Sequence, residues 1–331
     1  MPKITLNSGA SFEAGPGVTI LDAATAAGIT LPYSCRTGRC GTCKCQVAAG
    51  ATTALFAETG LESGDFDQGW ILSCARTAQS DLVLEVEDLG GLSLPPARTL
   101  PCRISSIERP AHDVVRVRLR LPPASDFQFL PGQYIDVIGH GGVKRSYSLA
   151  SADPTDQGLE LHVRAVPGGA MSAHWFNQAK INDLLRLQGP RGTFFLRDVS
   201  ERDLIFLATG TGIAPVKAML EALVTLAPAR GPASVTLLWG GRVPGDLYLD
   251  IGGMPAIDRY IPVLSRADAA WEGARGHVQD VLLDERPDLG NASVYACGSD
   301  AMIHDARRAL ARAGLPERRF HSDAFVCSAK P

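Results

Sequence analysis

The chain has 331 residues, 45% of them hydrophobic, and a formal charge of −3. That length accommodates two or three domains with real cores. No apolar run approaches the roughly 18 residues of a membrane-spanning helix, and a mild negative charge with no Lys/Arg block excludes an electrostatic case for nucleic acid. The start Met-Pro-Lys-Ile-Thr-Leu-Asn does not read as a secretory signal. The eight cysteines are therefore expected reduced, in the cytoplasm.

The first segment runs from residue 1 to 90. Lys3–Leu6 alternates like a strand, and Ser11–Ala14 is placed to pair back with it. A helix is expected over Ile20–Ala27, with Ile20, Ala24 and Ala27 on one face. The run Tyr33-Ser-Cys-Arg-Thr-Gly-Arg-Cys-Gly-Thr-Cys-Lys44 follows. Its Cys35, Cys40 and Cys43 have C-x4-C-x2-C spacing, and Cys74 stands alone further on, which is the plant-type [2Fe–2S] ligand pattern. Two irons need four thiolates, and a tight loop wraps one side of the cluster if Gly38 and Gly41 supply unusual φ values. Arg36 and Arg39 place positive charge beside an anionic centre, or are simply solvated loop residues. Zinc is the rival ligand, but zinc sites pair two short knuckles and Cys74 has none. Cys45, one strand period from Cys43, reads as a buried neighbour; Cys102, Cys297 and Cys327 lie far off in sequence. Gly69–Ser73 and Leu82–Val86 read as strands, completing a small mixed sheet crossed by one helix.

Residues 91–99 lie in a Gly/Pro-rich linker. The second segment, 100–198, is strand-rich: Arg103–Ile107, Val114–Leu121, Gln133–Ile138, Arg145–Leu149 and Leu159–Val166 predict a small antiparallel barrel. The third, 199–331, alternates strands (Leu204–Thr209, Val235–Trp239, Tyr260–Val263, Ser293–Cys297) with helices (Val216–Leu226, Met302–Ala313). That alternation predicts a doubly wound parallel sheet.

Three further signals carry chemistry. In the barrel, Arg145-Ser-Tyr-Ser148 offers a cation for a phosphate and a ring for a flat heterocycle, although an exposed Arg and Tyr on a strand are ordinary. Pro167-Gly-Gly-Ala-Met-Ser172 opens a helix with two glycines and a hydroxyl, an anion site, and Leu161-His-Val-Arg164 adds a second arginine. Leu207-Ala-Thr-Gly-Thr-Gly-Ile-Ala-Pro215 sits at a strand-to-helix turn, where doubly wound sheets bind ligands. It departs from GxGxxG, with Pro215 in place of the third glycine. Cys297-Gly-Ser-Asp-Ala-Met302 repeats the logic at a later strand end; a small buried thiol is the plain reading of Cys297.

The order of these parts resembles the iron–sulfur flavoprotein reductases of the ferredoxin–NADP reductase superfamily, over essentially the whole chain. The loop Ser34–Cys45 is similar to that of the naphthalene dioxygenase reductases. Leu100-Pro-Cys-Arg103, Gly132-Gln-Tyr-Ile-Asp136, Gly192-Thr-Phe-Phe195, Tyr295-Ala-Cys-Gly-Ser299 and Ser322-Asp-Ala-Phe-Val326 are similar to the CDP-6-deoxy-3,4-glucoseen reductases. The resemblance implies a multidomain α+β and α/β chain: a β-grasp [2Fe–2S] ferredoxin domain, an FAD-binding β-barrel and an NAD(P)H-binding domain. It implies cluster ligation by Cys35, Cys40, Cys43 and Cys74. Arg145, Tyr147 and Ser148 would hold the flavin, with Ser148 near its reactive nitrogen. His162, Val163 and Arg164 would line that site, and Gly169 and Ser172 would bind its phosphates. Gly210, Thr211, Gly212 and Pro215 would cradle the dinucleotide, Cys297, Gly298 and Met302 would flank the nicotinamide, and Phe325 would cover the flavin. The implied activity is electron transfer from NADH, favoured over NADPH, through FAD and the cluster to a partner, in a monomer. The partner is expected to be an oxygenase component, with a CDP-hexulose dehydrase as the alternative. Arg242 and Arg266, at two strand ends, are candidate grips for an NADPH 2′-phosphate. A redox sensor and a free-standing flavin or ferric reductase are the other functional classes.

Overall fold

The computed structural model describes residues 1–326 apart from 91, 93, 154–157, 227–229 and 286. Cys327 lies outside the described residues. Residue contacts divide the chain into two units: 1–94 with 192–194 and the C-terminal end from 323, and 95–191 with 195–322.

In the first unit, β1 (Lys3–Leu6) and β2 (Ser11–Glu13) form the expected antiparallel pair. β3 (Lys44–Ala49), β4 (Thr52–Ala54), β5 (Trp70–Leu72), β6 (Arg76–Ala78) and β7 (Leu82–Glu85) follow. The main sheet has the order β2-β1-β7-β3-β5, with β1 parallel to β7 and the other pairings antiparallel; β4 and β6 make a separate ribbon. Helix α1 (Ile20–Ala26) starts at Thr19, whose hydroxyl accepts from the Asp22 N–H and so meets one unpaired helical donor. Its buried face is Ile20, Leu21, Ala23 and Ala24. Ala27, expected on that face, is the exposed C-cap, because the helix stops one residue short of it. These side chains pack with Ile4, Leu6, Leu72, Leu82 and Leu84 into one core that also takes in Cys43, Cys45 and Cys74. The cluster loop is thus anchored by its own cysteines.

The second unit begins with an antiparallel sheet: β8 (Arg98–Ala111), β9 (Val114–Arg120), β10 (Tyr134–Ile138), β11 (Lys144–Ser148), β12 (Leu159–Arg164) and β13 (Leu184–Arg191), in the order β11-β10-β13-β8-β9-β12. A bridge between Leu149 and Leu161 joins the two edges and closes the barrel. Its core holds Val115, Val117, Leu119, Ile135, Val137, Leu161, Val163, Leu187 and Trp175. β13 is absent from the sequence expectation: its Gly189-Pro190 pair carries the residues that ordinarily argue against a strand. A single turn, α2 (Ala170–Ala173), follows the Gly168-Gly169 pair.

The remainder is the expected parallel sheet, built from β14 (Asp203–Thr209), β15 (Ser234–Gly241), β16 (Arg259–Leu264), β17 (Ala274–Arg275), β18 (Ala292–Ser299) and β19 (Phe320–Phe325) in the order β17-β16-β15-β14-β18-β19. β14 runs parallel to β15 and β18. Helices α3 (Ile213–Val224), α4 (Val278–Asp284) and α5 (Asp300–Arg312) accompany it. α3 starts before the expected Val216 because Pro215 falls within its first turn, where a missing N–H costs no hydrogen bond. Among the described residues no helix is long and apolar enough to cross a membrane.

Candidate cofactor sites

Cys40, Cys43 and Cys74 are buried, and Cys35 is partly exposed. Gly38 and Gly41 both have φ +72°, as the loop reading requires. Arg36 also lies in the left-handed region (φ +58°), a conformation that costs a non-glycine residue about 1 kcal/mol and that the sequence does not announce. The loop backbone turns toward sulfur: Thr37 N–H donates to Cys35 Sγ at 3.4 Å and Gly38 N–H to Cys74 Sγ at 3.3 Å.

The four thiols form two pairs. A hydrogen bond from Cys40 brings the Cys35 thiol down to about 5, and one from Cys43 lowers Cys74. The same bonds, reinforced by burial, push Cys40 and Cys43 well above the ordinary thiol range. Among the described residues no three His, Cys, Asp or Glu side chains converge on a single ion position. Two pairs of thiolates suit two irons, whereas a zinc ion takes four donors around one point. Cys45 stays apart, pushed up to about 12 by burial.

Glu58 and Gly60, which no local motif marks, close this loop. Gly60 N–H donates to Gly38 O at 2.9 Å, and a side chain at Gly60 would meet Arg39 O and Gly41 N at 2.7 Å. Glu58, its side chain 3% exposed, accepts from Leu72 N–H and from Arg76 Nε, both at 2.7 Å. No local motif marks Glu58; the pairing is set by the tertiary approach of residues 14 and 18 positions away.

In the barrel, Arg145, Tyr147 and Ser148 lie on β11. Arg145 is exposed, Ser148 is buried, and the Tyr147 hydroxyl accepts from Trp175 Nε1 at 2.9 Å. Burial pushes the Tyr147 phenol up to about 12, so it stays a neutral, half-buried ring. Ser172 Oγ accepts from Val166 N–H at 2.8 Å and ties off the Gly168-Gly169 turn. Val163 faces the barrel core, so any flavin contact it makes must come through its backbone, not the side chain.

His162 is bound at both ring nitrogens: Nδ1 lies 2.9 Å from the Tyr248 hydroxyl and Nε2 2.9 Å from Glu160 Oε1. Burial, outweighing Glu160, holds its pKa below the ordinary value. Burial acts to raise Glu160, but His162, Lys217 and Arg118 prevail and bring it down to about 2. A neutral ring therefore donates from Nε2 to an ionised carboxylate and accepts at Nδ1 from Tyr248. Lys217 of α3 also reaches the Ala150 carbonyl at 2.9 Å. Arg164 pairs with Asp113 at 2.8 Å.

At the end of β14, the turn Gly210-Thr211-Gly212 is bare backbone beside a cation. A side chain at Gly210 (φ +53°) would come 2.7 Å from Arg164 Nη1, and Trp239 Nε1 donates to Gly210 O at 3.0 Å. A side chain at Gly212 would strike Cys297 O at 2.2 Å, so this turn and the Cys297-Gly298 turn are packed together. Ser299 N–H donates to Thr209 Oγ1 at 3.2 Å, and Ser299 Oγ caps α5 by accepting from Met302 N–H at 3.3 Å. Cys297 itself is fully buried and Met302 7% exposed. The Gly-Thr-Gly turn lies at a strand-to-helix junction, the place where doubly wound sheets take a pyrophosphate, and the Arg164 guanidinium beside it is paired with Asp113. Phe325 ends β19 as a half-buried ring. Arg242, considered as a phosphate grip, is held by Asp246 at 3.0 Å and lies 3.5 Å from Asp113.

A paired-thiol loop, an antiparallel barrel and a parallel-sheet dinucleotide turn in one chain define an iron–sulfur flavoprotein oxidoreductase. Family models agree segment by segment: a 2Fe-2S iron-sulfur cluster binding domain over residues 4–79, an oxidoreductase FAD-binding domain over 101–196 and an oxidoreductase NAD-binding domain over 206–308. The chain is 43% identical to a CDP-6-deoxy-L-threo-D-glycero-4-hexulose-3-dehydrase reductase of Yersinia pseudotuberculosis, over 97% of each chain. It is 34% identical to a terephthalate 1,2-dioxygenase reductase component of Comamonas, over 97% of this chain and 96% of that one. It superposes on an Amycolatopsis cytochrome P450 reductase with a TM-score of 0.74 at 30% identity, covering 99% of this chain and 100% of that one. The chain belongs to the iron–sulfur flavoprotein reductases of the ferredoxin–NADP reductase superfamily. It is an NAD(P)H-dependent oxidoreductase that binds a [2Fe–2S] cluster, FAD and NAD(H), and its electrons go to a partner protein.

Proposed function

We propose that this reductase takes its electrons from NADH and serves a CDP-hexulose dehydrase. The observation that carries the choice of acceptor is the identity to the Yersinia dehydrase reductase, nine percentage points above that to the dioxygenase component (43 − 34 = 9) over equal shares of this chain. An oxygenase component is the second reading, favoured by full-length likeness to reductases of that kind. When bound, the flavin splits a hydride's two electrons into single ones and the cluster relays them; the protein supplies distance, orientation and potential.

Within this reading, Cys35, Cys40, Cys43 and Cys74 would hold the cluster through their thiolates. Arg145, Gly169 and Ser172 bind the flavin phosphates, Tyr147 supports its ring and Ser148 presents a hydroxyl to it. His162, fixed as a neutral ring, orients β12 rather than exchanging protons. Gly210, Thr211, Gly212 and Pro215 form the dinucleotide turn, Cys297, Gly298 and Met302 flank the nicotinamide, and Phe325 covers the flavin. The engagement of Arg242 by two carboxylates supports NADH as donor. A single copy working in the cytoplasm, where thiols stay reduced, completes the proposal.

Acceptor assays test it. NADH, this protein and the purified dehydrase should give cluster-dependent reduction of the dehydrase. A Cys40→Ser variant should keep NADH oxidation by ferricyanide yet lose that transfer. Full transfer by Cys40→Ser would refute the path, and transfer to an oxygenase component alone would replace the acceptor.

A further inference from the structure

Residues 48–57 read Ala-Ala-Gly-Ala-Thr-Thr-Ala-Leu-Phe-Ala, with no charged side chain, and every one of them but Thr52 is exposed. Leu55 is 42% and Phe56 41% exposed. β4 lies within this stretch, and its one strand partner among the described residues is β6. Proteins ordinarily blunt such an edge with charge or proline, and this one has neither.

The stretch adjoins the cluster loop. A side chain at Gly38 would come 2.3 Å from Ala57 O and 3.4 Å from a Phe56 ring carbon. Phe56 therefore lies against the backbone of the glycine that separates Cys35 from Cys40 and donates to Cys74 Sγ. Leu55 N–H donates at 2.8 Å to the carbonyl of Ala75, the residue after Cys74. Three nearby cations are matched inside the protein: Arg36 with Asp22, Lys44 with Asp65, Arg76 with Glu58.

We infer that β4, Leu55 and Phe56 form the docking surface for the electron-accepting protein, which covers them with an uncharged, apolar hollow. This rests on the reading that electrons leave through the cluster. Electron transfer requires close approach, so an acceptor must cover part of the cluster loop's surroundings, and Leu55, Phe56 and Ala57 adjoin that loop at Gly38 and Ala75. Its chemistry selects the occupant: exposed apolar side chains at the centre of a contact favour an apolar counterpart. With those three cations matched, an acidic partner gains little from them. Association then depends weakly on ionic strength, unlike docking steered by charge.

The test uses the full-length holoenzyme, NADH and the purified CDP-hexulose dehydrase. In Leu55→Ser/Phe56→Ser the half-saturating dehydrase concentration should rise at least about tenfold. Ferricyanide reduction and cluster absorbance should match the wild type, and Phe56→Tyr should restore most of the loss. Wild-type half-saturation should change less than about twofold between 0.05 and 0.5 M salt. An unchanged half-saturation in the double variant overturns the inference, as does a wild-type value that climbs steeply with salt. A wild-type dimer in sedimentation that the double variant dissolves would give the surface to a second copy and also overturn it. If the wild type does not reduce the dehydrase at all, the acceptor reading alone fails, and the same variants against an oxygenase component decide the surface.

Discussion

Gly212→Ala tests the dinucleotide turn. Its φ of −61° and ψ of −13° suit any residue, so the substitution carries no conformational penalty and acts through space alone. The new methyl would stand 2.2 Å from Cys297 O, 2.5 Å from Cys297 C and 2.8 Å from Gly298 Cα. These are backbone atoms at the end of a buried strand and cannot rotate away. Reaching an ordinary contact requires the two turns to part by about 1 Å. A misplacement of that size costs about 100-fold in a reaction that depends on alignment, or about 2.7 kcal/mol of activation free energy at 1.36 kcal/mol per decade. The overpacking itself should destabilise the second unit by about 1–3 kcal/mol. The assay is kcat/KM for NADH with ferricyanide as acceptor, with the cluster spectrum as a control for the first unit. Gly245→Ala is the internal reference, because a side chain there meets nothing within 4 Å. Wild-type kcat/KM in Gly212→Ala, within about twofold, would refute the placement of the dinucleotide on this turn.

Glu58→Gln should strand Arg76 and cost about 3 kcal/mol, the expected result of breaking a buried ion pair, read in urea denaturation followed at the cluster band; Glu58→Gln/Arg76→Met should recover part of it, and additive losses would count against the pairing. Burial lowers the His321 pKa to about 3, with Arg197 and Arg307 adding to the effect. The unfolded chain, with an ordinary value of about 6.5, binds the proton that the folded chain refuses. The stability of the second unit should therefore fall as pH drops from about 6.5 toward 3, by up to about 1.4 kcal/mol per pH unit. Denaturant melts at pH 7 and 5 check this, and His321→Gln should flatten the difference. NADH should exceed NADPH in kcat/KM by at least about tenfold, since Arg242 is occupied by Asp246; equal use of both donors would contradict that assignment.

The candidate cluster loop was legible because a diiron centre fixes thiolate spacing locally, within Cys35–Cys43. The barrel and the parallel sheet were legible from alternation and from strand–helix order. What was hidden depends on tertiary approach. β13 carries Gly189-Pro190 in a place where neighbours on both sides, β10 and β8, hold it in the sheet. Strand alternation turns the Val163 side chain into the core, opposite His162 and Arg164, which leaves its backbone as the part that can face a flavin. The engagement of His162 by Glu160 and Tyr248 joins positions 86 residues apart, and no local pattern encodes it. Glu58 is a lone acid in sequence and a staple over Leu72 and Arg76 in space. Arg36 adopts a left-handed conformation that glycine would take without cost, a strain visible only in the backbone.

The direct test of electron flow is anaerobic rapid mixing of the holoenzyme with NADH, followed at the flavin and iron–sulfur absorption bands. The path from nicotinamide through flavin to the paired-thiolate site predicts bleaching of the flavin band first and of the cluster band after it, with the second phase missing in Cys40→Ser. Cluster bleaching that precedes the flavin phase, or that persists in protein stripped of flavin, would contradict it.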